Sequence, residues 1–510
     1  MTLHPVDIVI FILFFLVVVS LALWKRRKDE SSESYFLAGR NLPWWIIGVS
    51  IVAANISTEQ FVGMAGQGAG SVGLAVSGWQ LIGVISIILV AFFFLPRFLR
   101  AGIYTMPEYL EYRYSPFARA LMSLSMVIIY SCVTIVAVLY SGGLTLQTIF
   151  GIPLNQAIWG IAFIAAIYTT WGGLSSVAWA DLVQGGALLI GGLITFFIGL
   201  NAVGGWSSFV SHNPEKLHML LPLDHPELPW TVLIGGMWIP NLYYTGLNQF
   251  IVQRTLAAKN LRQGQFGIIF AAALWILVPF AIVIPGIISH QLYENQLGGT
   301  DQAYPMLIRN LIPIGLRGFI FAAISGAVIS SLASMLNSAS TIFTLDLYAR
   351  YLKPKSSQKR QVAIGRIMTL VFLFIGCFLA PYLIDPRFKG VFSFIQEFQG
   401  YISPGIVTVF IFGFIFRRAP AMAGEAALLL SAPIYGLFHW LYPAVPYLHR
   451  MLWTFGILNL IMLGITLWKP LSAPVRLPVK QDFKTFPELG VLIPGILVIL
   501  LVLAFFVVFR

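Results

Sequence analysis

Two stretches of otherwise apolar sequence hold the residues that could do chemistry. The first, Ala53-Ala54-Asn55-Ile56-Ser57-Thr58-Glu59-Gln60, is followed by Gly63, Gly66, Gly68 and Gly70; the second holds Gly235-Gly236, Pro240-Asn241 and Tyr243-Tyr244-Thr245-Gly246. Each mixes carboxamides, hydroxyls and helix-breaking residues inside a run long enough to cross a bilayer. A helix broken in hydrocarbon leaves carbonyls and amides without partners, and these are tolerable only where an ion, a polar solute or water satisfies them. The chemistry on offer is coordination and hydrogen bonding, not the making of bonds. Gly and Ala also permit close helix packing. Packing alone gives no reason for two such stretches at corresponding places of a repeat, which is the arrangement that marks a midplane site.

Catalysis has little to work with. His4, His212, His218, His225, His290, His439 and His449 all fall in or beside segments expected on the outer side, and Cys132 and Cys377 are isolated within apolar runs. No metal-ligand spacing or nucleophile motif is present, so the chain is not expected to be an enzyme. Glu59 and Glu397 are carboxylates inside apolar runs, which makes each a functional candidate by default; a structural role is equally open, since the sequence assigns neither a partner.

The elements that must position these residues are membrane helices. Of 510 residues 58% are hydrophobic and 10% charged, against roughly a quarter charged in soluble domains. The apolar residues cluster into about fourteen runs of spanning length: 5–24, 44–70, 74–96, 118–149, 153–171, 175–200, 231–253, 264–289, 315–349, 362–383, 390–416, 421–441, 449–468 and 488–509. The fold class expected is an all-α membrane protein, multi-pass in the cell membrane and surrounded by the lipid bilayer. With the N-terminus outside, alternate loops collect most Lys and Arg, including Lys25, Arg26, Arg27, Lys28, Arg97, Arg100, Arg113, Arg254, Arg350, Arg417, Arg418 and Lys484. Basic residues are retained on the cytoplasmic side, so both termini are expected outside. The net charge of +12 is then a topology signal and no nucleic-acid footprint, because no loop interleaves bases with aromatics. The first run lacks a charged leader and a small-residue cleavage site, and is read as a retained helix.

The chain resembles the sodium/solute symporter family, and most closely its bacterial sodium/galactose branch, from residue 34 to about 468. The strings carrying the resemblance are SYFLAGRNLPWW, AANISTEQFVGM, GIYTMPEYLEYR, TTWGGLSSVAWADLVQ, NLYYTGLNQFIVQRTLAAK, SSLASMLNSASTIFTLDLY and FIQEFQGYISPGI. The resemblance implies a core of ten helices in two inverted sets of five, similar to the bacterial leucine transporter, with peripheral helices around it. On this chain that gives a peripheral helix and loop (1–43), a first repeat (44–200), an outer loop (201–230), a second repeat (231–416) and C-terminal peripheral helices (417–510). It implies a sodium ion held by the carbonyls of Ala53, Ile56 and Ala327 and the hydroxyls of Ser330 and Ser331. From spacing alone Ser330 and Ser331 read as small packing residues; the resemblance is what makes them ligands. Relatives with a second sodium are similar in having a hydroxyl at the position of Ala333, then Ser334, with Asp181 on core helix five. The hydroxyl missing at Ala333 implies one sodium per cycle. Asp181, expected near the cytoplasmic end of its helix, is then placed on the inner exit path of the ion.

Carried over residue by residue, the solute-binding positions are Asn55, Gln60, Gln80, Asn241 and Gln396, with Tyr244 as an aromatic gate. Gln80 stands where the galactose-transporting relatives have Glu, and Trp275 stands where they have Lys. A carboxamide both donates and accepts, and an indole offers a stacking face with one N–H, so the implied partner is a small neutral polyhydroxylated solute, a sugar or polyol. By position in the apolar runs no Arg or Lys is expected at midplane, which leaves an anionic solute little to pair with. An organic acid or amino acid as solute, or a sensor of the same fold that moves nothing, are the alternatives.

Overall fold

The computed structural model describes residues 4–24, 36–384, 390–480 and 487–510. Lys25, Arg26, Arg27, Lys28 and Lys484, on which part of the expected orientation rests, lie outside them. In hydrocarbon a chain can satisfy its own backbone only within helices or a closed barrel, and the described residues are almost wholly helical. Extended pairing among them is confined to isolated bridges, Leu42 with Ala258 and Leu221 with Pro229.

In chain order the main helices are α1 (Pro5–Trp24), α2 (Trp44–Asn55), α3 (Gln60–Ala69), α4 (Gly73–Ala101), α5 (Met106–Arg113), α6 (Pro116–Phe150) and α7 (Leu154–Ala202). They continue with α8 (Trp230–Gly235), α9 (Trp238–Leu242), α10 (Gln249–Leu256), α11 (Leu261–Gln296), α12 (Ala303–Leu311), α13 (Leu316–Leu352) and α14 (Gln358–Leu383). The last are α15 (Val391–Gln399), α16 (Ser403–Ile415), α17 (Ala421–Leu441), α18 (Tyr447–Trp468) and α19 (Leu489–Val508). Among the described residues, nine helices are long and apolar enough to cross a bilayer, or eleven if each of two bent pairs is one span. Runs 153–171 and 175–200 have no loop between them: helix continues through α7, whose apolar parts are Leu154–Ala166 and Leu174–Ala202.

Both expected interruptions are present. α2 stops at Asn55, Ile56 turns to extended backbone (φ −82, ψ 96), and α3 leaves at 58° to α2 after opening on a π-helical turn, Gln60–Met64. The second is divided twice. α8 ends at Gly235, and α9 runs into a π-helical turn, Tyr243–Leu247, that closes at an extended Asn248 (φ −86, ψ 124) before α10. A third break was not foreseen: α15 and α16 meet at 46°. Its local causes are Gly400, where a Cβ would run into the Tyr435 ring, and Pro404 in the first turn of α16.

Burial separates core from periphery. In the most apolar window of α13, 89% is buried, against 33% in α14 and 28% in each of α17, α18 and α19. Those four present their remaining faces to lipid, as peripheral helices must. α1 packs on α7 and α13, and its buried Asp7 accepts hydrogen bonds from the N–H groups of Gly315 (2.7 Å) and Gly318 (2.9 Å). That carboxylate caps the start of α13, where orphan amides and the helix dipole favour a negative charge.

Candidate functional site

The breaks converge on one cavity of ≈ 60 Å³. All seven solute-binding positions expected from the sequence line it: Asn55, Gln60, Gln80, Asn241, Tyr244, Trp275 and Gln396. The cavity is small beside the ~300–1,000 Å³ of ligand-filled pockets, because its polar groups are drawn onto one another. Gln60 Nε2 donates to the Asn55 carbonyl at 2.7 Å and to Asn55 Oδ1 at 3.3 Å. Gln80 Nε2 in turn donates to Gln60 Oε1 at 2.9 Å. Asn241 spends its amide on the Met237 carbonyl (3.0 Å). A Cβ at Gly83, one turn beyond Gln80, would lie 3.0 Å from Asn241 Oδ1, so glycine there leaves that acceptor room. Among the described residues the indole N–H groups of Trp79 and Trp275 are buried without a hydrogen-bond partner.

Further lining residues went unrecognised in the sequence, among them Trp79, Thr245, Phe392 and Gln399. Gln399 was the findable one, since it stands three residues after Gln396 and three-residue spacing returns to the same helix face. Glu59 is the one carboxylate in the lining, which contains no Lys, Arg or His. It accepts a hydrogen bond from Ser57 Oγ. Carboxamides that both donate and accept, set among aromatic faces and unpaired indole N–H groups, suit a neutral ligand bearing several hydroxyls.

The ion-binding positions expected from the sequence lie on the other side of the same break. Among the described residues the carbonyls of Ala53 and Ile56 receive no hydrogen bond, because α2 ends one turn too early to supply donors. α13 packs against α2 and α7, and a Cβ at Gly185 of α7 would lie 2.6 Å from the Ala53 Cβ. Ala327, Ser330 and Ser331 sit in the unbroken part of α13, where the carbonyl of Ala327 keeps one lone pair beyond the helix ladder. The two serines differ. Ser331 Oγ is fully buried and has no partner, whereas Ser330 Oγ donates to Asp181 Oδ1. A hard monovalent cation is what unpaired neutral oxygens of this kind would hold.

Asp181 stands seven residues into the apolar part Leu174–Ala202 of α7. It lies in the body of α7, fully buried, and its Oδ2 accepts from Ser50 Oγ (2.5 Å) and Arg254 Nη2 (3.0 Å). Arg254, counted from the sequence among the loop cations, is only 1% exposed and sits inside the protein. Its Nε donates to Ser50 Oγ (2.6 Å), its Nη2 also to Ser334 Oγ (2.6 Å), and its Nη1 to the Phe250 carbonyl. The sequence count failed because it scored Arg254 by its distance from the end of an apolar run, while α10 is a short half-helix turned into the bundle. One guanidinium thus ties α2, α7, α10 and α13 together one turn from the unpaired Ser331.

Glu397 does have partners. Tyr435 OH donates to its Oε1 (2.7 Å), Arg450 Nη2 to its Oε2 (2.8 Å), and His439 Nδ1 lies 2.9 Å from Oε1. Arg450 is 4% exposed. This cluster fastens α15, which carries Gln396 and Gln399, to α17 and α18, so Glu397 positions the cavity wall and does not face the solute.

The sequence model described as the sodium:solute symporter family matches residues 35–428. The chain is 39% identical to the sodium/glucose cotransporter of Vibrio parahaemolyticus over 88% of each chain. It is 35% identical to the human sodium/myo-inositol cotransporter 2 over 82% of this chain and 67% of that one. In structure it superposes on a Na+-coupled sialic acid symporter with a TM-score of 0.81, at 22% identity, over 93% of this chain and 99% of the other.

Proposed function

The chain belongs to the sodium:solute symporter family, and we propose that it imports a neutral sugar or polyol together with one sodium ion per cycle. It is a membrane transporter and not an enzyme. What carries the solute class is the cavity lining: carboxamides and tryptophans converge there, the single carboxylate is Glu59, and no cationic side chain is present. The names of the glucose and myo-inositol cotransporters among its relatives point the same way.

In the proposed assignment sodium binds the carbonyls of Ala53, Ile56 and Ala327 and the hydroxyls of Ser330 and Ser331. The solute binds Asn55, Gln60, Gln80, Asn241, Gln396 and the Trp275 indole, with Tyr244 closing beneath it. One sodium is favoured because Ala333 lacks a hydroxyl while Arg254 already supplies a positive charge to Asp181 and Ser334. Asp181 would receive sodium on its inward path only when Arg254 swings away. The repeats are placed at 44–200 and 231–416, each opening on an interrupted helix, with both termini outside. A membrane potential supplies about 2.3 kcal/mol per charge per 100 mV. At 100 mV one sodium would therefore sustain roughly a 50-fold solute gradient before its own gradient is added.

The test is uptake of tritiated hexoses, polyols, amino acids and organic acids into proteoliposomes under a sodium or a choline gradient. Sodium-dependent uptake of a hexose or polyol is expected. Uptake restricted to an organic or amino acid would overturn the solute assignment, and solute binding without uptake would make the protein a sensor.

A further inference from the structure

Away from the transport site lies a larger cavity of ≈ 540 Å³ whose lining is dominated by Arg97, Arg100, Arg113, Arg417 and Arg476, with Tyr109 in its wall. Among the described residues no carboxylate lines it. Among the described residues none of Arg97, Arg113, Arg417 and Arg476 pairs with Asp or Glu, although Arg119, Arg254, Arg350 and Arg450 all do. Like charges brought together repel one another, and Arg417 acts electrostatically on both Arg97 and Tyr109.

The wall is built and held. Arg113 donates to the carbonyls of Gly413 (3.0 Å), Phe416 (2.7 Å) and Ala419 (3.1 Å), which fixes its guanidinium at the end of α16. The Arg97 guanidinium lies over the Phe414 ring, 5.2 Å from its centroid. The Tyr109 ring is clamped by Phe98 and Phe410, each 5.3 Å away. Its hydroxyl is buried and unpartnered. Burial pushes that phenol above its ordinary range, so it remains a hydrogen-bond donor. The segment 475–479 forms part of the lining and is held by Val475 N to the Arg417 carbonyl and Lys480 N to the Arg100 carbonyl, both 2.9 Å.

We propose that this cavity binds a phosphate group, carried by an anionic phospholipid or by a soluble phosphate compound. Guanidinium forks match phosphate oxygens in pairs, and basic pockets between membrane helices take phosphate headgroups. The buried Tyr109 hydroxyl supplies a further donor, and the segment 475–479 forms part of the wall around the bound group. Nothing in this depends on the transport assignment.

The test uses the purified full-length protein in a neutral detergent, titrated calorimetrically with inorganic phosphate and, separately, with dihexanoyl phosphatidic acid. Arg417 and Arg476 are exposed, so Arg417→Gln and Arg476→Gln should fold normally. Each lost charge is expected to weaken saturable binding about five-fold, on the scale of a basic residue meeting an anionic lipid. Arg418→Gln, exposed and next in sequence but outside the lining, is the control expected to change nothing. Binding of the short-chain lipid alone assigns the bilayer as source, and equal binding of inorganic phosphate assigns a soluble one. Absence of saturable binding to both probes, or weakening by Arg418→Gln equal to that by Arg417→Gln and Arg476→Gln, would overturn the proposal.

Discussion

Removing the hydroxyl of Ser331 should leave stability in choline undiminished and reduce the stabilisation that sodium adds. Its Oγ is fully buried without a partner, and an unsatisfied buried polar group costs about 1–3 kcal/mol. Ser331→Ala removes one oxygen with little change of shape. In choline medium the variant should therefore be at least as stable as the native protein, by up to that amount. Ser330→Ala is the contrasting case, because it deletes a donor to the buried Asp181 carboxylate. A hydrogen bond to a charged group contributes about 1.5–3 kcal/mol, so this variant should be destabilised in choline.

In sodium the Ser331→Ala variant should gain less than the native protein does. At one hundred times its dissociation constant a ligand stabilises the folded protein by about 2.7 kcal/mol. If Ser331 contributes a tenfold factor to affinity, the same concentration is only ten times the new constant, and about 1.4 kcal/mol remains. The assay is thermal unfolding in detergent at matched sodium and choline concentrations, with sodium-activated uptake alongside. Two outcomes would refute the assignment: a full sodium shift in Ser331→Ala, or destabilisation of that variant in choline to the level of Ser330→Ala.

Arg254→Gln leaves the Asp181 carboxylate buried with hydroxyl partners only, and breaking a buried pair from one side costs about 3–5 kcal/mol; adding Asp181→Asn should recover much of the loss, and two equally unstable variants would mean that the pair is not the cause. Gln80→Ala and Asn241→Ala should raise the solute KM, with Asn241→Ala leaving the sodium concentration for half-activation near its native value, and an unchanged KM in both would place the solute elsewhere. Gln60→Ala should keep sodium binding but remove the effect of solute upon it, measured as the sodium dissociation constant with and without saturating solute. Glu397→Gln should lower stability by about 1.5–3 kcal/mol through its charge-assisted bonds, towards the lower end because Glu397 is 23% exposed; a change in sodium affinity with stability intact would contradict a positioning role.

The broken helices were readable in the sequence because hydrocarbon makes polarity conspicuous: Asn55, Glu59 and Gln60 in an apolar run have few explanations, and Pro240 and Gly246 mark the second break. Membership of a family then placed each solute-side residue, and all of them line one cavity. Pairings escaped the sequence because they depend on direction and not on depth. Arg254 looks like a loop cation when it is scored by distance from the end of an apolar run, yet its guanidinium reaches back to Ser50 and across to Ser334. Glu397 looked partnerless because Tyr435, His439 and Arg450 come from two helices more than thirty residues away. The third break, at Gly400, follows the polar residues Gln396, Glu397 and Gln399, but only the close approach of Tyr435 makes glycine necessary there.

The two halves of the site meet in the four residues where α2 ends. Among the described residues Ala53 and Ile56 leave their carbonyls unpaired on the side proposed for the ion, while Asn55, between them, gives its carbonyl and side chain to Gln60. Gln60 in turn holds Gln80. A cation that fixes the peptide planes on both sides of Asn55 also fixes the direction of the carbonyl on which Gln60 depends. It thereby orders a chain of three carboxamides facing the solute. Immobilising a rotamer-rich side chain on binding costs about 0.5–1.5 kcal/mol, so ordering two glutamines beforehand spares the solute roughly 1–3 kcal/mol, the usual size of a coupling free energy. Coupling of this kind is reciprocal. A solute that draws Gln60 and Gln80 into place must tighten sodium by the same factor, with no side chain touching both ligands.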